Sequence, residues 1–208
     1  MRALLLFSIV TLWFMVGCGQ NSGRPDLTDK IPVTERPWPT DPQKFTFAIL
    51  GDKTGGGDEN WPIFDRAVKE INLTRPDFTI MVGDQIQGYS DNEEKIDSMW
   101  KDFRNHAGKL ESPLFILPGN HDVLWPTTFR YWEKHLGRTY YSFDYKGCHF
   151  LVLNTDALAK EKKPGMGAEQ IEFVQKDLAK STSARYTFVF MHKPAWESSG
   201  IDSNWAEV

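Results

Sequence analysis

Four short apolar runs in this chain each lead straight to a side chain able to hold a metal. Residues 44–50 end at Gly51-Asp52, and residues 78–82 end at Gly83-Asp84. Residues 113–117 lead into Pro118-Gly119-Asn120-His121-Asp122, and residues 185–191 stop at His192. The runs are rich in aromatic and β-branched residues, as short buried strands are. Segments of helical periodicity lie between them. Phe64, Ala67, Val68 and Ile71 follow Pro62; Ile96, Met99, Trp100 and Phe103 follow Ser90 and Glu93, which have the spacing of a capping box. Residues 128–135 form a short helix, and Ile171, Val174 and Leu178 mark another. Two more strands, 139–145 and 148–154, are joined by Lys146-Gly147 as a hairpin. This alternation predicts an α/β domain with helices covering one or more sheets.

Ligands bind such sheets beyond the carboxyl ends of the strands. Asp52, Asp84, Asn120 and His192 are therefore predicted to meet on one patch. Carboxylate and amide oxygens suit hard divalent cations, and imidazole suits zinc, iron and their neighbours. Each residue alone has a plainer reading. Asp52, Asp84 and the Asn120-His121 pair could shape turns, and His192 could be a packed strand-end histidine. The argument for a site is that the four occur together, in order, at strand ends.

The N-terminus is a separate object. Arg2 precedes an apolar run over residues 3–16, and Gly17-Cys18-Gly19 follows. The run is shorter than the roughly 20 residues of a membrane span and fits a secretory core of about 7–15. Met15-Val16-Gly17-Cys18 resembles a bacterial lipobox, with methionine where leucine is usual. The expectation is a signal peptide over 1–17, lipidation at Cys18 and an exported chain anchored to the cell envelope, periplasmic or outer-membrane. An uncleaved anchor or a buried helix are the alternatives for the same residues. Pro25, Pro32, Pro37, Pro39 and Pro42 punctuate residues 18–43, which read as an extended tether. Removing residues 1–17 leaves Cys148 as the one thiol besides the lipidated cysteine, so no disulfide framework is expected. A net charge of −4 carries no electrostatic footprint for nucleic acid, and none is expected as a partner.

Together the blocks resemble the calcineurin-like metallophosphoesterases. Gly119-Asn120-His121-Asp122 is similar to that family's GNHD block, Gly83-Asp84 with Gly88 to its GD…G block, and Gly51-Asp52 to its first block. The strand ending at His192 and the stretch 137–145 are also similar. The resemblance implies an αββα sandwich, two mixed sheets flanked by helices, occupying residues 44–208. It implies two divalent ions, manganese, iron or zinc, with Asp84 bridging them, Asp52 on the first, and Asn120 and His192 on the second. Such a pair would clamp a phosphorylated substrate and activate a hydroxide for attack on phosphorus. His121 would sit beside the phosphate, stabilising charge and protonating the leaving oxygen, and Asp122 would orient it. Gly51, Gly83 and Gly119 would admit close backbone approach.

Two departures stand against this pattern. Thr54 occupies the place of the first block's histidine, and Gln87 the place where purple acid phosphatases carry a tyrosine. Tyr89, five residues after Asp84, is given no role. No Gly-His-x-His block is present, so the domain is expected to be incomplete at its C-terminus, with a helix opening near Asp202. His106 is expected at the surface, His135 at a helix end and His149 in a structural place. Trp125 and Trp196 are read equally as pocket or core. The functional expectation is an exported, membrane-tethered phosphoric ester hydrolase. The alternative is a non-catalytic surface lipoprotein that binds a ligand on the same fold.

Overall fold

The computed structural model describes residues 44–53, 60–156 and 166–194. Residues 1–43 with Cys18, Thr54, Trp196 and the helix expected after Asp202 lie outside the described residues. Among the described residues no helix is long and apolar enough to cross a membrane.

Strand β1 (Phe47–Leu50), β2 (Phe78–Val82) and β3 (Leu114–Leu117) form one parallel sheet in the order β1-β2-β3. Leu50 pairs with Met81, and Val82 with Leu117, so the three carboxyl ends finish close to level. The crossovers are helices α1 (Trp61–Thr74) and α2 (Glu93–Ala107). After β3 come a single turn, α3 (Asn120–Val123), and then α4 (Pro126–His135). The second sheet holds β4 (Tyr141–Tyr145), β5 (Cys148–Val152) and β6 (Thr187–Phe190) in the order β4-β5-β6, with helix α5 (Ala168–Lys180) between β5 and β6. The hairpin turn forms as expected, because Lys146 and Gly147 both take positive φ, the twist that two-residue hairpins favour. β5 and β6 run parallel, so the mixed character expected of both sheets belongs to the second one.

Period-two alternation makes three apolar layers from these strands. Phe78, Ile80, Phe115 and Leu117 face Phe143, Phe150 and Phe190 between the sheets. The rings stack closely there: Phe115 and Phe143 lie 4.2 Å apart, and Phe143 and Phe150 4.9 Å. Met81, Leu114 and Ile116 point the other way, onto α1, α2 and α4. Leu151 packs under α5 with Val174. The result is the helix–sheet–sheet–helix sandwich expected from the sequence.

Some local expectations shift. The α2 cap is Asn92, whose side chain accepts the Lys95 N–H at 2.9 Å, and not Ser90, which accepts the Asn92 N–H. This start places Glu93 and Glu94 in the first turn, where the helix dipole favours acids. His106 is half-buried and not a surface residue: it stacks on Trp61 at 4.1 Å and meets Asp65 at 2.7 Å. His149 is buried between Asp144 and Asp177, each 2.7 Å from one ring nitrogen, and ties the β4–β5 hairpin to α5.

Candidate metal centre

The level strand ends bring the predicted residues together. Asp52, Asp84 and His192 each offer a ligand atom, all within 4.8 Å of one another. Asn120 Oδ1 lies 3.2 Å from His192 Nε2. First-sheet residues thus meet one second-sheet residue at the shared end of the sandwich. The backbone at the end of β2 is unusual: Gly83 and Asp84 both have positive φ, at 94° and 54°. A Cβ on Gly83 would sit 2.4 Å from His192 Nδ1, and one on Gly119 would sit 2.1 Å from Asp84 Oδ1. Both glycines therefore admit the close approach expected of them. Gly51 shows no such approach, because a Cβ there meets nothing within 4 Å among the described residues. Gly88 has it instead, with the His121 carbonyl 1.8 Å from where a Cβ would be.

Asp122 does a different job from the one expected. It is fully buried, and its Oδ2 accepts the N–H groups of Asp84 at 2.7 Å and Gly119 at 2.8 Å. Its Oδ1 accepts those of Gln85 and Ile86 at 3.1 and 3.2 Å. One carboxylate thus fastens the loop after β2 to the loop after β3, and its partners are backbone amides rather than the His121 ring. The Gln87 carbonyl orients that ring instead, 2.7 Å from Nδ1. A carbonyl only accepts, so Nδ1 carries the proton and Nε2 is the atom open to chemistry. Nε2 lies 3.9 Å from Asp84 Oδ2. His192 follows the same logic. Its Nδ1 donates to the Val82 carbonyl at 2.9 Å, and Nε2 faces Asp84 Oδ2 at 3.4 Å.

Tyr89, without a role in the sequence pattern, belongs to the site. Its hydroxyl accepts the Asn120 amide N–H at 2.6 Å, which turns Asn120 Oδ1 toward His192. Its ring lies 4.3 Å from that of His121, with Trp125 beyond it at 6.3 Å. No spacing rule reaches this residue, since its place depends on a loop in which Gly88 and Tyr89 both have positive φ. The segment Asn154-Thr155-Asp156 was also missed. The Thr155 hydroxyl accepts the Lys193 N–H at 3.0 Å, and Asp156 pairs with the Lys193 ammonium. Here the sequence holds a signal: β5 is another apolar run ending in polar side chains, and it stops at Val152, short of the expected residue 154.

Asp84 and His192 shift one another's titration. Burial pushes the Asp84 carboxyl up, but the bond and charge of His192 and the His121 N–H outweigh it and hold it below the usual range. Burial lowers His192, yet the Asp84 bond, the Val82 carbonyl and the charges of Asp84 and Asp156 raise it to about 9. Burial drives the Asp122 carboxyl well up, with the Asp84 charge adding to it, while its amide donors pull the other way.

The calcineurin-like phosphoesterase family profile matches residues 41–207, and the chain belongs to that family. One relative is the serine/threonine-protein phosphatase CPPED1 of Bos taurus, 29% identical over 171 residues. The match covers 74% of this chain and 54% of the relative, so the chain spans about half of that protein's length. A crystal structure of a dimetal phosphatase from Danio rerio has a similar fold. Its TM-score is 0.56 at 12% identity, over 73% of this chain and 70% of that one.

Proposed function

We propose that this chain is a metal-dependent phosphoric ester hydrolase, a phosphomonoesterase or phosphodiesterase, exported and held at a bacterial envelope through Cys18. The observation that carries the reading is the meeting of Asp52, Asp84 and His192 within 4.8 Å, with Asn120 beside them, in a chain of this family. The donor set fits divalent ions: two carboxylates, an amide oxygen and an imidazole whose Nε2 faces the cluster. Asp84 would bridge two ions, Asp52 would hold the first, and Asn120 and His192 the second. Such ions supply Lewis acidity to a phosphoryl oxygen and lower the pKa of water.

The chain's own residues do the remainder. Tyr89 fixes the amide of Asn120 with its oxygen inward. The Val82 carbonyl fixes the tautomer of His192, leaving Nε2 as donor atom to a metal. His121 keeps its Nδ1 proton on Gln87 and presents Nε2 to the phosphate. A proton on that atom can go to a phosphoryl or leaving-group oxygen.

The test uses the full chain on para-nitrophenyl phosphate and its bis-ester, with manganese, iron or zinc added. Metal-dependent turnover is expected, with His121→Ala lowering kcat by about 10²–10⁴-fold while bound metal is retained. Absence of metal-dependent turnover on either ester would overturn the hydrolase reading. For the envelope reading, the wild-type chain is expected in the membrane fraction and Cys18→Ser in the soluble one.

A further inference from the structure

A cavity of about 300 Å³ opens between α4, the start of β4 and α5, and its described lining includes none of Asp52, Asp84, Asn120 and His192. Phe129, Tyr140 and Phe173 give it aromatic walls. Tyr140 and Phe173 lie 5.2 Å apart, ring to ring. Asn154, only 1% exposed, lines it from the end of β5. The partners of Asn154 can be followed group by group. Its N–H and C=O are both bound by the Gln170 side chain, at 2.8 and 2.9 Å. Its Oδ1 accepts the Asp156 N–H at 2.9 Å, which also fixes which end of the amide is nitrogen. Its Nδ2 is buried and has no partner among the described residues. An unpaired donor in such a place costs free energy unless something accepts from it.

We propose that this cavity is a binding site for a small neutral organic molecule with an aromatic or branched apolar body and a carbonyl-type acceptor for Asn154 Nδ2. The rim contains Glu133 and Glu169 against Arg138, so an anion gains little there and a second phosphate site is not what the lining suits. The aromatic walls supply area and the amide supplies direction, the usual division of labour in ligand pockets. The site also has a physical link to the metal centre. Asn154 holds Asp156, Asp156 pairs with Lys193, and Lys193 follows His192. The inference does not depend on the hydrolase reading.

The probe is 2-phenylacetamide, titrated into the 15N-labelled full chain while the Asn154 side-chain amide signals are followed. A saturable shift is expected, with a Kd of about 1 mM for so small a ligand. Asn154→Asp keeps an oxygen for the Asp156 N–H and removes the donor. It is expected to weaken binding about ten-fold or more, read by calorimetry. Phe173→Ala, which leaves the amide network intact, is expected to weaken it at least about three-fold. Phenylacetate, the anion of similar shape, is expected to bind more weakly than the amide. His121→Ala is expected to leave the affinity unchanged, which separates this result from any loss of hydrolysis. No saturable shift up to the solubility limit, or unchanged affinity in Phe173→Ala and in folded Asn154→Asp, would overturn the proposal.

Discussion

The two sides of the metal centre are held in different ways. On the first sheet, Asp84 and the loop carrying Asn120 and His121 are fastened by one buried carboxylate that accepts four backbone N–H groups. On the second sheet, the His192 ring is held by the Val82 carbonyl at Nδ1 and by the Asn120 and Asp84 side chains at Nε2, and its neighbour Lys193 is held by Thr155 and Asp156. One side is therefore fixed through the backbone, the other through side chains at the end of one strand. An ion bound between them would join two elements of unequal stiffness. Local opening is expected to begin on the second-sheet side, where the bonds are only part-buried, whereas those to Asp122 are buried.

The sharpest way to break this comparison is Asp122→Ala. It strands four N–H groups in a buried place and is expected to cost about 3–5 kcal/mol in denaturant unfolding, with loss of metal binding. His192→Ala is expected to lower metal affinity while costing the metal-free protein clearly less. Equal destabilisation by the two would erase the distinction. Next in size is Gly119→Ala. Its Cβ would be 2.1 Å from Asp84 Oδ1, so the two loops must separate, and a loss of about 1–3 kcal/mol together with weaker metal binding is expected.

A pH titration tests the second side. His192 must lose its proton to bind a metal, and without metal that proton is held up to about pH 9. Metal affinity is therefore expected to rise about ten-fold per pH unit between roughly 7 and 9 and then level, as followed by competition with a chelator. For the metal-free protein the sign is opposite. The folded pKa of His192 lies above its ordinary 6.5, so its stabilisation is full below that value and fades as pH rises through about 9. Asp84, held below its ordinary value, behaves in the reverse sense, and its contribution is lost as the solution becomes acidic. The smallest effect is expected from Tyr89→Phe. Loss of the acceptor for Asn120 Nδ2 should cost about 1 kcal/mol or less in stability, yet lower kcat by about two- to ten-fold through a looser Asn120.

The fold was legible because strand and helix periodicities do not overlap here. Phe78–Val82 is a strand in both accounts, and helix α5 covers the predicted Ile171, Val174 and Leu178. Of the site, the convergence of Asp52, Asp84, Asn120 and His192 was legible because parallel strands in level register deliver their ends to one edge. The role of Asp122 was not. A carboxylate one residue from a histidine reads naturally as its orienting partner, but the α3 turn directs Asp122 to the amides of a loop 36–38 residues earlier. Tyr89 was hidden for a related reason, since positive φ at Gly88 and Tyr89 folds its ring back over His121.

The sequence by itself determined the α/β class, the order of the strand-end blocks and the donor types that gather at one edge. Those follow from hydrophobic periodicity and from where chain polarity places a strand's end. Tertiary structure alone decided which group each polar side chain satisfies: Asp122 its four amides, Gln87 the ring of His121, Tyr89 the amide of Asn120, and Gln170 the backbone of Asn154. The physical reason is that a buried hydrogen bond depends on distance and direction within a few tenths of an ångström, and loop paths set by a few positive-φ residues fix both.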